Sequence, residues 1–427
     1  MNDGKRCELA EQMKQGEAAS PSVLRVTVVS PFVDKRHGTE RALVETIERF
    51  ASVYGCEIHL YAESAEDIVL SPKGTRGAGT IVWRRVPAFP GPHLFKFVAW
   101  YAANRVLRWF DARFRGLKGD LVFTPGINCP DADVIVVHIV FTEFYRIIRA
   151  SLRLRDVSLR SWPVTIHRIL YYRLIMALEK RIYTRTHIGL AGVSELTTEE
   201  LQRHFGRANL PAIPYGVDLS VFNPAERLRR RKACREEMGF RDENFVAVLV
   251  GNDWKKKGLG TILQAMANSG DIPFRLLVAG HDDRAPYLVL LRRLGLADRV
   301  VFRGLSPDVM QFYAAADVYA GPSLHDAFAI PPLEAMACGL PVIASLAAGV
   351  SRCLDHGRDG FVLKDACDSG ELGRLLETLY RNKELAANMG NAAVETARQY
   401  TWDRHAAEVW KLVQEAQARK VAGKAQR

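Results

Sequence analysis

"DVYAGPSLHDAFAIPPLEAMACGLPVIAS", residues 317–345, contains a strand, a loop, a helix and a second strand. DVYAGP and PVIAS are short, nearly continuous apolar runs, the pattern of strands covered on both faces in a parallel sheet. Pro331 and Pro332 lack N–H groups and have a preset φ, so a helix tolerates them only in its opening turn. The helix is therefore expected over 331–338 with its onset near Ile330, which puts Glu334 in the first turn. Asp326 and Glu334 flank the loop–helix junction. Each has an ordinary explanation, Asp326 as a turn or cap residue and Glu334 as an acid favoured by the helix dipole.

The same strand–helix alternation spreads outward from this unit. FVAVLVG (245–251), RLLVAG (275–280), RVVFRG (299–304) and GFVL (360–363) read as further strands, with helices over 258–268, 286–295 and 308–316. The first half offers VLRVTVVS (23–30), CEIHLYA (56–62), DLVFTPG (120–126), DVIVVHIVF (133–141) and HIGLAGVS (187–194), with helices around 39–54 and over 142–185. Such alternation predicts an α/β protein of two Rossmann-like, doubly wound domains facing a central cleft. The expected division is a loose leader at 1–21, an N-terminal domain at 22–208 and a Pro/Gly-bearing linker at 209–222. A C-terminal domain follows at 223–400, then a helix and basic tail at 401–427, long enough to dock elsewhere on the molecule. Ligands of open α/β sheets bind beyond the carboxyl ends of the strands, so both domains would line one crevice.

Composition narrows the function classes. The chain has 427 residues, ordinary globular hydrophobicity, and 59 Lys+Arg against 48 Asp+Glu, a net charge of +11. That balance favours an anionic partner. Seven scattered cysteines without a C-x-x-C pair argue against a disulfide framework or a zinc site and fit a reducing cytosol. The polar N-terminus does not read as a signal peptide, and no apolar run reaches membrane-spanning length. A soluble or peripheral cytoplasmic protein is expected.

Several residues could carry chemistry. GNDWKKKG (251–258) follows a strand and opens a helix, so Lys255, Lys256 and Lys257 stand where a helix N-terminus already favours phosphate; the plainer reading is a solvated basic loop. SPFVDKRHGTER (30–41) is a turn after the first strand in which Gly38 allows close approach to a ligand. His138 ends an apolar strand, where a satisfied core histidine is the plain alternative. PDADV (130–134) precedes a strand and reads as a turn. Over 142–185, arginines interleaved with Phe, Tyr and Trp face few acids, which suits an anionic membrane surface or a phosphorylated lipid. No nucleic-acid-binding motif is present.

Taken together, SLHDAFAIPPLEAMACGLPVIAS (323–345) resembles the donor-site signature of the family 4 retaining glycosyltransferases, the group 1 glycosyltransferases of GT-B fold. Their pattern has two Glu separated by seven residues, then Ala and a Gly-x-Pro-Val strand. Here Asp326 stands at the first acid, Glu334 at the second, and Phe328-Ala329 replaces Phe-Gly. IPYGVDLSVFNP (213–224), VGNDWKKKGLGTILQAM (250–266) and VVFRGLSPDVMQFYAAADVYAGPS (300–323) resemble further family segments, with Lys257-Gly258 at the Lys-Gly position and Asn252 where Arg is usual. The resemblance implies transfer of a hexose from a nucleotide diphosphate sugar, with no metal or other cofactor. It assigns catalysis to Asp326, Lys257 and His138, the last at the acceptor-side histidine. Donor binding falls to Gly38, Asn252, Lys256, Lys257, Phe328, Ala329, Ile330 and Glu334. A glycan or cell-envelope glycolipid acceptor is expected. The alternatives are a noncatalytic nucleotide-sugar-binding partner, motivated by the three departures, and a basic nucleic-acid-binding protein, motivated by the charge.

Overall fold

Eight short strands build the N-terminal domain: β1 (Arg25–Val29), β2 (Phe32–Val33), β3 (Glu57–Ala62), β4 (Ser64–Ala65), β5 (Thr80–Arg85), β6 (Leu121–Thr124), β7 (Val134–Val137) and β8 (Gly189–Gly192). The C-terminal domain adds β9 (Phe245–Val250), β10 (Phe274–Ala279), β11 (Val300–Arg303), β12 (Val318–Gly321), β13 (Val342–Ser345) and β14 (Phe361–Leu363). The structure is a computed structural model that describes residues 23–152, 158–270 and 272–425. The leader expected at 1–21 and the 153–157 part of the basic segment lie outside the described residues.

The sheets are β5-β3-β1-β6-β7-β8 and β11-β10-β9-β12-β13-β14, both wholly parallel, while β2 and β4 pair separately. In each, chain order reverses between the first strand and its later neighbour, β1/β6 and β9/β12. Crossover helices there leave toward opposite sides and open a crevice at the carboxyl ends. Helices cover both faces of such sheets, and the continuous apolar runs β7 (VIVV) and β9 (FVAVLV) are buried along their whole length.

The chain crosses between domains twice, and the crossings touch. Val217 N–H donates to the Tyr400 carbonyl at 2.9 Å. A Cβ on Gly216 would lie 2.2 Å from the Trp402 nitrogen, so only glycine allows this approach. The last helix, Trp402–Ala425, then returns to the N-terminal domain. Trp410 stacks on Tyr54 with ring centroids 4.6 Å apart, and Lys420 pairs with Asp133 at 2.7 Å.

Several elements have no counterpart in the sequence reading: the short β2 and β4, helices Glu195–Phe205, Pro224–Met238, Ser369–Arg381 and Lys383–Ala397, and two more whose absence has a clear cause. TIVWRR (β5) is short and ends in two arginines, so it shows little apolar signal. Helix His93–Phe114 exposes Val106, Trp109 and Phe114 while burying Trp100, Asn104 and Asp111, so its apolar residues do not gather on one face. Residues 142–185 are not one helical stretch: helix Phe141–Ile148 gives way to short 3₁₀ turns before helix Trp162–Tyr183. Among the described residues no helix is long and apolar enough to cross a membrane, and no group of three metal-ligating side chains gathers. The six described cysteines are free.

Candidate nucleotide-sugar crevice

Backbone packing at the ends of β9 and β12 sets the position of Lys257. Gly258, with φ at 80°, caps helix Leu259–Ala267, and a Cβ there would sit 2.1 Å from the Pro322 carbonyl oxygen. That close approach carries the preceding Lys257 over to the loop after β12. Its ammonium meets the Asp326 carboxylate with Nζ 2.6 Å from Oδ2. The other oxygen of Asp326 accepts the Phe328 N–H at 3.2 Å, and its backbone is pinned to Ala347 and Gly349. Burial, the largest single influence, would raise the Asp326 carboxyl, yet the charge and hydrogen bond of Lys257, with the Phe328 N–H and His325, together hold the group below its usual range.

The helix begins at Ile330, but Glu334 lies one turn further in than the expected first turn, because the two prolines and Leu333 occupy the start. Ala329, the residue ahead of it, has φ 69° and ψ 101°, a conformation that favours glycine. The backbone thus keeps the shape of a Phe-Gly junction with alanine in place. Glu334 is buried, so its partners matter more than the dipole. Arg41 Nη1 donates to Oε1 at 2.7 Å, and the Tyr313 hydroxyl donates to Oε2, also at 2.7 Å.

Arg41 comes from the opposite domain, and further contacts bind that domain to the same loop. A Cβ on Gly38 would lie 3.5 Å from Ile330 Cδ1. Ser194 donates its hydroxyl to the Ala327 carbonyl at 2.6 Å, and His325 pairs with Glu200 at 3.0 Å. Phe328, Ala329 and Ile330 are buried, so they offer a ligand their backbone and shape rather than free side chains. Phe328 meets Tyr215 edge-on at 5.1 Å.

His138 lies just beyond β7, buried, its Nδ1 hydrogen-bonded to the Tyr215 hydroxyl. Burial pulls its imidazole down to about 3, with His405 nearby reinforcing the shift, so the ring is neutral. His405 is itself brought to about 4 by burial. It is Nδ1 of His405 that carries the proton, because its partner, the Pro214 carbonyl, can only accept.

Two residues assigned to donor binding are engaged elsewhere. Asn252 accepts the His281 N–H at 2.8 Å and ties the β9 loop to the β10 loop. Lys256 pairs with Asp253 at 2.7 Å and lies 4.5 Å from the Phe144 ring of the other domain, so it turns away from Asp326. Sequence reasoning missed Arg41, Tyr313, Ser194 and Glu200, all distant in sequence from their partners. One hint was present: an arginine in a helix's opening turn opposes the helix dipole and calls for an acidic partner. In PDADV, Asp131 binds Arg108 at 2.7 Å and Asp133 accepts the Val122 N–H at 2.8 Å, both structural roles.

Comparison with known proteins places this geometry. Residues 230–396 match the family model for glycosyl transferases group 1. A D-inositol 3-phosphate glycosyltransferase of Paenarthrobacter aurescens is 33% identical over 221 residues, covering 49% of this chain and 53% of the relative. The chain thus spans about half the length of the curated relatives it matches. WaaG, a glycosyltransferase involved in lipopolysaccharide biosynthesis, superposes with a TM-score of 0.71 at 20% identity, covering 92% of this chain and 98% of WaaG. Anabaena Alr3699/HepE, solved in complex with UDP-glucose, superposes with a TM-score of 0.67 at 18% identity, covering 92% and 100%. Residues 230–396 are thus similar to the group 1 glycosyl transferases, and the two facing α/β domains have the GT-B fold.

Proposed function

We propose that the protein is a retaining hexosyltransferase that uses a nucleotide diphosphate sugar and glycosylates a hydroxyl of a cell-envelope glycolipid or polysaccharide precursor. The observation that carries this reading is the cluster of Lys257, Asp326 and Glu334 at the β9/β12 switch point, facing the other domain. The donor diphosphate takes the place of Asp326 beside Lys257, whose charge steadies the departing phosphate. With that cation in place the reading calls for no metal or other cofactor. Glu334 accepts hydrogen bonds from the ribose hydroxyls, using the lone pairs that Arg41 and Tyr313 leave free. Asp326 borders the sugar and offsets positive charge at the anomeric carbon. The acceptor oxygen bonds to that carbon on the face from which the diphosphate leaves, and the acceptor proton passes to a departing phosphate oxygen. Closure of the two domains excludes water and limits hydrolysis. The inositol phosphate glycosyltransferase relatives and the UDP-glucose complex of a neighbour support a nucleotide-sugar donor.

A cytoplasmic protein resting on an anionic membrane surface completes the reading. Helices His93–Phe114 and Trp162–Tyr183 expose Val106, Trp109, Phe114, Val164 and Leu170 together with Arg105, Arg113, Arg168 and Arg173, while their acids Asp111 and Glu179 are buried. Exposed aliphatic side chains among arginines suit a lipid interface better than a nucleic acid. Product analysis tests the whole reading: labelled nucleotide sugars are incubated with the protein and membrane lipid extract. Free nucleoside diphosphate plus a glycosylated lipid with the donor's anomeric configuration is expected. Every donor recovered intact would overturn it.

A further inference from the structure

Glu334 is fixed by a residue of the other domain. Arg41 lies in the opening turn of helix Gly38–Ser52 and reaches across the crevice to Oε1 at 2.7 Å, while Tyr313, from the domain of Glu334 itself, holds Oε2 at the same distance. The Arg41 and Glu334 side chains keep only 21% and 4% of their exposure, so water does little to screen the pair. The guanidinium also lies 5.7 Å from the ring centroid of Trp402, where the chain crosses back between domains. A carboxylate has about four acceptor positions, and one donor on each oxygen leaves one free position on each. Two adjacent hydroxyls can fill that remaining pair. Without Arg41, a buried carboxylate would keep a single neutral partner and lose the contact that sets its plane.

We infer that Arg41 is a positioning residue for the nucleotide: it aligns Glu334 for the ribose hydroxyls, so that donor affinity depends on the N-terminal domain being closed against the C-terminal one. This rests on the ribose-binding role proposed for Glu334. Arg41 acts through Glu334, whereas Lys257 meets the diphosphate, so the two are separable by ligand. A nucleoside diphosphate reports on both, and inorganic pyrophosphate on Lys257 alone.

The test is calorimetric titration of full-length wild type, Arg41→Gln, Arg41→Lys and Tyr313→Phe with UDP, GDP, ADP and pyrophosphate. Arg41→Gln is expected to weaken the preferred nucleoside diphosphate about tenfold or more while pyrophosphate affinity stays within twofold. Arg41→Lys, which keeps the charge, should recover part of the loss. Tyr313→Phe, which leaves the domain seam untouched, should weaken the nucleotide in the same selective way, and it provides the reading should Arg41→Gln not fold. Unchanged nucleotide affinity in these variants, or an equal loss for nucleotide and pyrophosphate, would overturn the inference. Wild type that binds pyrophosphate but no nucleoside diphosphate would instead overturn the ribose role of Glu334.

Discussion

Lys257 and Asp326 meet at 2.6 Å although 69 positions separate them, and the contact joins the loop after β9 to the loop after β12. It holds a cation at the switch point of the second sheet, where the fold opens its crevice. The pair carries no net charge, and on the proposed reading a donor diphosphate replaces the carboxylate beside Lys257. Lys257→Ala should therefore lower sugar transfer about 10²–10³-fold, the usual effect of removing one stabilising donor from a developing anion. The variant should still fold, with a lowered unfolding midpoint because Asp326 loses its cation. Transfer at the wild-type rate in a steady-state assay would remove Lys257 from the chemistry.

Ala329 stores backbone strain. Its φ of 69° with ψ of 101° costs a non-glycine residue of order 1–3 kcal/mol, and glycine relieves that at an entropic cost of about 0.5–1 kcal/mol. Ala329→Gly should stabilise the protein by about 1 kcal/mol in urea denaturation, and Ala329→Val should destabilise it. A loss of stability on Ala329→Gly would contradict the strain.

These two loops show what was legible in the sequence. Proline placement gave the helix onset, and continuous apolar runs gave every central strand of both sheets. The edge strand β5 and helix His93–Phe114 stayed hidden because Arg84, Arg85, Val106 and Trp109 break the burial pattern that periodicity detects. Lys256 and Lys257 look alike in a KKK run. Only the packing of Gly258 on Pro322 sends Lys257 toward Asp326 and leaves Lys256 beside Phe144. Arg41 and Glu334 are 293 positions apart, and no local pattern links them.

The buried histidines set an acid limit. His138, drawn down to about 3, and His405, to about 4, stay neutral in the native state where an unfolded histidine titrates near 6.5. Below that pH the unfolded chain binds more protons. Stability is therefore fully present above about 6.5 and falls through the window down to about 4 for His405 and about 3 for His138, each histidine contributing about 1.4 kcal/mol per pH unit. Denaturation midpoints between pH 7 and 4.5 measure this slope, and His405→Gln should make it shallower. An equal slope in the variant would rule out the histidine as its source.

The exposed face of helix His93–Phe114 should bind lipid. Full-length protein is expected to sediment with phosphatidylcholine vesicles containing phosphatidylglycerol, and less so at high salt. Trp109→Ser combined with Phe114→Ser should reduce the bound fraction severalfold without altering nucleotide affinity. Equal binding to vesicles of phosphatidylcholine alone would show that the arginines play no part.

Nucleotide-sugar recognition at Lys257 and Glu334 is tested most directly by thermal unfolding of wild type, Lys257→Ala and Glu334→Ala against a panel of nucleotide sugars. Selective binding raises the unfolding midpoint in proportion to the logarithm of ligand over Kd. At least one nucleotide sugar should raise the wild-type midpoint by several degrees and leave both variants nearly unmoved. No shift with any nucleotide sugar, or the same shift in all three proteins, would contradict the account.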